Sequence, residues 1–147
     1  MRIRDARLDE VGALEALQRR ASLVWEDYRE QLLANPDAIQ LPVDHVGLTR
    51  VAVDHAGARL GFAVVLGVLA GACELDGLFV EPDAWGRGVG RALVDDAAGR
   101  ARAGGAEQLE VIANPRAVGF YERVAFVPAG TASTRFGPAQ RMRRRLG

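Results

Sequence analysis

An apolar strand that runs into a glycine-rich turn and then into an amphipathic helix is the feature that most limits how this chain folds. Leu78-Phe79-Val80-Glu81-Pro82 leads to Trp85-Gly86-Arg87-Gly88-Val89-Gly90-Arg91, after which Val89, Leu93, Ala97 and Ala101 recur at four-residue steps. A helix start carries unpaired N–H groups and positive dipole potential. Glycines remove the side chains that would keep an anion away from those N–H groups. Such a turn suits phosphate or pyrophosphate. Without a ligand, the same glycines make a tight strand–helix turn and nothing more.

Two common phosphate schemes do not fit. A P-loop ends in Gly-Lys-Ser/Thr, and the chain contains no lysine. A dinucleotide fingerprint reads G-x-G-x-x-G after the first strand, whereas the spacing here is G-x-G-x-G after the fourth. The missing lysine also removes Schiff-base chemistry and a lysine general base. One cysteine, Cys73, and two histidines, His45 and His55, are too few for a disulfide or a Cys/His zinc site.

Hydropathy periods give the remaining elements. Residues 2–8 alternate as a short strand, and Asp9 reads as the N-cap of a helix carrying Val11, Leu14 and Leu17. Residues 22–33 read as a second helix, broken at Asn35-Pro36-Asp37. Residues 48–54 and 59–69 form a hairpin around His55-Ala56-Gly57-Ala58, and 73–80 is a further strand. After the long helix, Gly104-Gly105 stops it and 107–113 is a strand. A short helix follows from about Pro115 to Arg123, then strands near 125–129 and 135–146. The order β-α-α-β-β-β-α-β-α-β-β predicts an α/β protein with a mixed sheet. At 147 residues, 49 % of them hydrophobic, a single domain spanning 1–147 is expected. No apolar run of 18 residues occurs and the N-terminus is charged, so a cytoplasmic protein without a membrane partner is expected. A formal net charge of zero argues against nucleic acid as a partner.

Here the chain resembles the GNAT superfamily of acetyl-coenzyme A-dependent N-acetyltransferases. The likeness is strongest from Leu75 to Val127. It rests on the strand before the R/Q-x-x-G-x-G/A turn, with Gly88 and Gly90 at the glycine positions and Trp85 where the family has Arg or Gln. It rests equally on Asn114-Pro115-Arg116-Ala117-Val118-Gly119-Phe120-Tyr121-Glu122-Arg123-Val124-Ala125-Phe126, similar to N-x-x-A-x-x-F-Y-E-[KR]-x-G-F with Ala125 for the usual glycine. The resemblance implies a three-layer fold, with a mixed sheet of six to seven strands flanked by about four helices and splayed at the cofactor. It implies a coenzyme A site built from Leu78, Phe79, Val80, Gly86, Arg87, Gly88, Val89, Gly90, Arg91, Asn114 and Tyr121, with no metal.

The implied reaction moves an acetyl group from acetyl-coenzyme A to a primary amine of a small molecule or peptide by direct attack in a ternary complex. That chemistry needs alignment, a neutral amine, a stabilised oxyanion and a proton for the leaving thiolate. Tyr121 is the implied acid, and the plainer account makes it a half-buried helix aromatic. Asn114 is implied to hold the cofactor arm, and it is equally suited to cap the next helix. For the base, Glu74 is preferred over Asp76 and Glu110; each also reads as a carboxylate facing solvent or an arginine. His45 and His55 are weaker candidates in loops.

Between the first helices, Trp25, Glu26, Asp27, Tyr28, Glu30, Asp37 and Asp44 suggest a pocket for a cationic amine, with Trp25, Glu26 and Tyr28 as substrate contacts. A solvated helix face explains the same charges. The arginines at 141, 143, 144 and 145 suit a coenzyme A phosphate, an acidic partner, nucleic acid, which the zero net charge argues against, or a solvated strand edge that discourages edge pairing. The terminal strands offer an edge for a homodimer. A rival function is a non-catalytic coenzyme A-binding sensor of the same fold.

Overall fold

The computed structural model describes the backbone of residues 1–147 and the side chains of all but Glu26, Asp27 and Tyr28. Seven strands form one sheet: β1 (Arg2–Asp5), β2 (Thr49–Val53), β3 (Arg59–Val65), β4 (Ala72–Val80), β5 (Gln108–Ala113), β6 (Val127–Thr134) and β7 (Gly137–Arg145). Their order is β1-β2-β3-β4-β5-β7-β6. The helices are α1 (Val11–Leu23), α2 (Glu26–Ala34), α3 (Val89–Ala103) and α4 (Val118–Arg123). Only β4 and β5 pair in parallel, as a strand–helix–strand crossover through α3 requires. No helix among the described residues is long and apolar enough to cross a membrane.

The chain divides into two compact units, Met1–Val64 with Gly77–Leu93, and Val65–Asp76 with Val94–Gly147. In the first unit, Leu14 and Leu17 of α1 are buried with Val51, Val53 and Phe62. The helix N-terminus differs from the sequence expectation. Asp9 is not the cap: it lies in a 3-10 turn, Leu8–Glu10, and α1 starts at Val11. Glu10, 0 % exposed, causes the change. Its carboxylate accepts the Arg7 backbone N–H at 2.8 Å, two bonds from Arg4 at 2.8 and 2.9 Å, and one from Arg59 Nε at 2.7 Å. The Arg7-x-x-Glu10 spacing, a reach-back from the third helical position, was the signal for it.

β4 is irregular. Leu66 N–H donates to Glu74 C=O, and Glu81 N–H donates to Leu60 C=O. Between these two bonds β4 advances one residue more than β3, which is a β-bulge. Close by, a Cβ on Gly61 would come 2.7 Å from the Phe79 carbonyl oxygen, so only glycine lets β3 approach β4 there.

In the second unit the β4–β5 ladder runs from Ala72↔Gln108 to Leu75↔Val111 and ends there, well before β4 ends at Val80. Leu69 and Ala72 bridge across Ala70 and Gly71, both at positive φ, as in the tight turns that suit strand twist. β3 ends at Val65, short of the expected residue 69, and Leu69 pairs only through this isolated bridge. α4 also starts late, at Val118, because Pro115–Ala117 make a turn held by Asn114. At its end, Ala125 N–H bonds to Glu122 C=O and Phe126 N–H to Tyr121 C=O. With Ala125 at φ 73°, this is the left-handed helix stop that glycine normally fills. The turn therefore keeps the glycine geometry despite the alanine.

Candidate active site

The turn after β4 is built in the first unit. Gly86 and Gly88 have φ of 79° and 80°, and a Cβ on either would meet nothing within 4 Å. Conformation, not crowding, therefore demands glycine here, and the space beside it is open. Ala92 N–H bonds to Gly88 C=O, so the preceding N–H groups lie at the helix mouth. Arg87 is exposed and makes no hydrogen bond or ion pair among the described residues. Gly90 and Arg91 continue the first turn of α3, and Val89 anchors it, 3 % exposed. Open glycines, a helix start and a free guanidinium fit a pyrophosphate.

The strand end just before this turn is half-buried at Leu78, Phe79 and Val80. Phe79 packs its ring on Phe62, with centroids 5.4 Å apart. Val80 C=O accepts the Trp85 indole N–H at 2.8 Å. Trp85 in turn stacks on Trp25, at 5.6 Å and 21° between planes. Trp25, a sequence candidate for substrate contact, thus reaches the glycine turn. The other two candidates, Glu26 and Tyr28, lie outside the described side chains. Glu30, Asp37 and Asp44 are exposed, as a solvated face requires.

The second unit holds a cavity of about 320 Å³. Glu74, Glu110 and Arg141 line it with Leu66, Leu69 and Met142, among others. Glu74 and Glu110 are direct register partners on β4 and β5. Like charges placed opposite one another cost stability. Glu110 is relieved by Gln108, whose Nε2 donates to it at 2.5 Å. The Glu74 carboxylate has no hydrogen bond or ion pair among the described residues. Burial, then Asp76 and Glu110, push its pKa above the ordinary carboxylate value, and Arg141 pulls against them. A carboxylate so tuned suits proton abstraction.

Tyr121 of α4 is 6 % exposed and lies between Phe120 and Phe126, at 5.2 Å from each ring. Burial pushes its phenol well above its usual pKa, so it keeps its proton at neutral pH. Its hydroxyl has no hydrogen bond among the described residues. Asn114 does cap: its Oδ1 accepts the Ala117 N–H at 3.1 Å. The tail arginines do not form one patch. Arg144 binds Asp95 of α3 at 3.0 Å, while Arg141 lines the cavity. Sequence reasoning grouped Arg141 with the tail arginines and did not join it to Glu74, because their place on one cavity depends on β7 pairing with β5.

The model of the GNAT acetyltransferase family matches residues 12–126, and the chain belongs to that family. Nourseothricin acetyltransferase is 28 % identical with a TM-score of 0.62, over 67 % of this chain and 65 % of that one. A GCN5-related N-acetyltransferase from Rhodopseudomonas palustris is 25 % identical, with a TM-score of 0.76 over 99 % of this chain and 95 % of that one. The coenzyme A-bound PaiA N-acetyltransferase from Thermoplasma acidophilum shares the fold at a TM-score of 0.80 and 15 % identity, over 99 % and 98 %. No curated protein matches the chain.

Proposed function

We propose that this protein transfers an acetyl group from acetyl-coenzyme A to a primary amine of a small molecule or peptide, by direct attack in a ternary complex within one domain. The observation that carries this reading is the open glycine turn at the start of α3, in a chain that belongs to the acetyltransferase family. Acetyl-coenzyme A supplies an acyl carbon activated as a thioester. Residues 86–91 hold the pyrophosphate through backbone N–H groups, with Arg87 as a counter-charge. Backbone groups of Leu78, Phe79 and Val80 hold the acetyl carbonyl and the pantetheine arm. The Val80 C=O is already engaged by the Trp85 indole N–H.

Glu74 takes the proton from the ammonium group, directly or through water, so that the neutral amine attacks. Its raised pKa matches it to that task. Tyr121 gives its proton to the departing thiolate, having kept it in the ground state. Asn114 keeps the turn before α4 in shape and offers its remaining polar atoms to the cofactor arm.

The test is thioester loss from acetyl-coenzyme A with a panel of amines, for wild type and Tyr121→Phe. The expected result is amine-dependent turnover, and a fall in kcat of about 10²-fold or more in the variant with cofactor affinity retained. Tight cofactor binding without turnover on any amine would replace this reading with a coenzyme A sensor.

A further inference from the structure

The cavity in the second unit holds opposite charges that do not pair with each other. Glu74 and Arg141 both line it, yet neither side chain makes an ion pair or hydrogen bond among the described residues. Sheet register sets them on different strands. Glu74 stands opposite Glu110 on β5, whereas Arg141 stands opposite Ile112, two residues further along β5 and on its other side. Neighbouring strands are about 4.8 Å apart and residues rise about 3.3 Å each, so the two backbones are separated by roughly two strands and one pleat repeat. Glu74 is half-buried, so its carboxylate loses part of its hydration in the cavity, while the exposed Arg141 guanidinium is open to a ligand.

A bridging ligand must present a cation to the glutamates and an anion to the arginine. A guanidinium binds a carboxylate through two parallel hydrogen bonds, and Arg141 has no internal acceptor competing for them. Leu66, Leu69, Ile112 and Met142 supply apolar wall between the charged ends. Leu69 is 81 % exposed, a large aliphatic side chain left in water at the cavity mouth. The volume of about 320 Å³ suits a metabolite-sized molecule rather than a folded protein.

Building on the acetyltransferase reading, we propose that the acceptor is a small zwitterion, a primary amine that carries its own carboxylate and an apolar body. Arg141 grips the carboxylate, the apolar wall holds the body, and the ammonium group lies at Glu74 beside Glu110. Arg141 is then the residue that sets specificity; it carries no proton itself and bears on Glu74 only through its charge.

The experiment compares standard amino acids and short ω-amino acids with their carboxamides and decarboxylated amines, by kcat and KM in the acetylation assay. Wild type, Arg141→Gln, Arg141→Lys and the control Arg145→Gln are measured together, with coenzyme A binding followed separately. The expected result is that at least one carboxylate-bearing amine is preferred over its decarboxylated partner by about 10- to 100-fold in kcat/KM. Measured at a pH above the acid limb, Arg141→Gln removes that preference through the KM of the carboxylate-bearing amine and affects the decarboxylated partner far less. Arg141→Lys restores part of it, and Arg145→Gln keeps it whole. Comparing the same amine across variants cancels differences in amine basicity. Turnover with no carboxylate preference, or an equal loss on both partners in Arg141→Gln, overturns the zwitterion assignment and leaves the acetyltransferase reading standing. Coenzyme A binding with no turnover on any amine overturns both.

Discussion

Trp25 and Trp85 stack face to face, with ring centroids 5.6 Å apart, and the Trp85 indole N–H closes on the Val80 carbonyl at 2.8 Å. The junction between α1 and α2 is thereby tied to the turn that opens α3. These are the only two tryptophans in the chain. Intrinsic tryptophan emission therefore reports on this pair alone. Coenzyme A added to the wild-type protein is expected to change that emission. A flat titration in a protein that calorimetry shows to bind coenzyme A would mean that the turn does not take the ligand. Trp25→Leu keeps apolar bulk but loses the stack, and is expected to cost about 1 kcal/mol in denaturant unfolding.

Glu10 is the least exposed charged group of the described residues, and it is held by Arg4, Arg59 and the Arg7 N–H. The Arg4 hydrogen bonds, opposed by burial and reinforced by Arg59, keep its carboxyl far below the usual range. A depressed folded pKa contributes stability above the unfolded value of about 4.3, which is lost as pH falls below it. Unfolding free energy is expected to decline progressively on acidification below about pH 4. Glu10→Gln is expected to cost about 3 kcal/mol at neutral pH, because it strands two guanidinium groups, and to flatten the acid dependence. An unchanged acid slope in the variant would place that dependence on other carboxylates.

Ala125 holds φ at 73°, where a Cβ meets the neighbouring backbone. Replacement by glycine relieves about 1–2 kcal/mol of strain against about 0.5–1 kcal/mol of added chain entropy. Ala125→Gly is expected to stabilise the protein by about 0.5–1 kcal/mol, read as a higher denaturation midpoint at constant slope. Destabilisation would show that the α4 stop is not left-handed in solution.

Glu74 is raised by burial, then by Asp76 and Glu110, and lowered by Arg141. As the proposed base, Glu74 must be ionised, so activity is expected to fall as pH drops through this raised value. The acid limb of kcat/KM is expected above the ordinary glutamate value of about 4.3. Asp76→Asn removes a like charge and moves the limb to lower pH. Arg141→Gln removes the opposing charge and moves it up. Glu74→Gln is expected to lower kcat by about 10²–10⁴-fold. A limb that ignores all three substitutions would assign the base elsewhere.

The local chain order was legible in the sequence because it rests on short-range physics. Two- and four-residue periods marked strands and helices, and the glycines of 86–90 marked a strand–helix turn that L side chains with a Cβ resist. Asn114 and Tyr121 were legible through their spacing, and Asn114 caps its turn as its side chain predicts. Errors came where a distant partner overrode a local preference. Asp9 had the chemistry of a cap, yet Glu10 won the position because Arg4 and Arg59 meet it from β1 and β3. Trp85 read as a departure from a motif, and only folding showed that its ring is matched by Trp25, sixty residues earlier. The same holds for the cavity. Glu74, Glu110 and Arg141 lie far apart in the chain, and a one-residue change of register would turn any of them to the opposite face. The sequence by itself determined the elements and the glycine turn, through backbone conformation and hydrophobic period. Only the tertiary structure decided which charges share a cavity, because that is set by strand pairing across long loops.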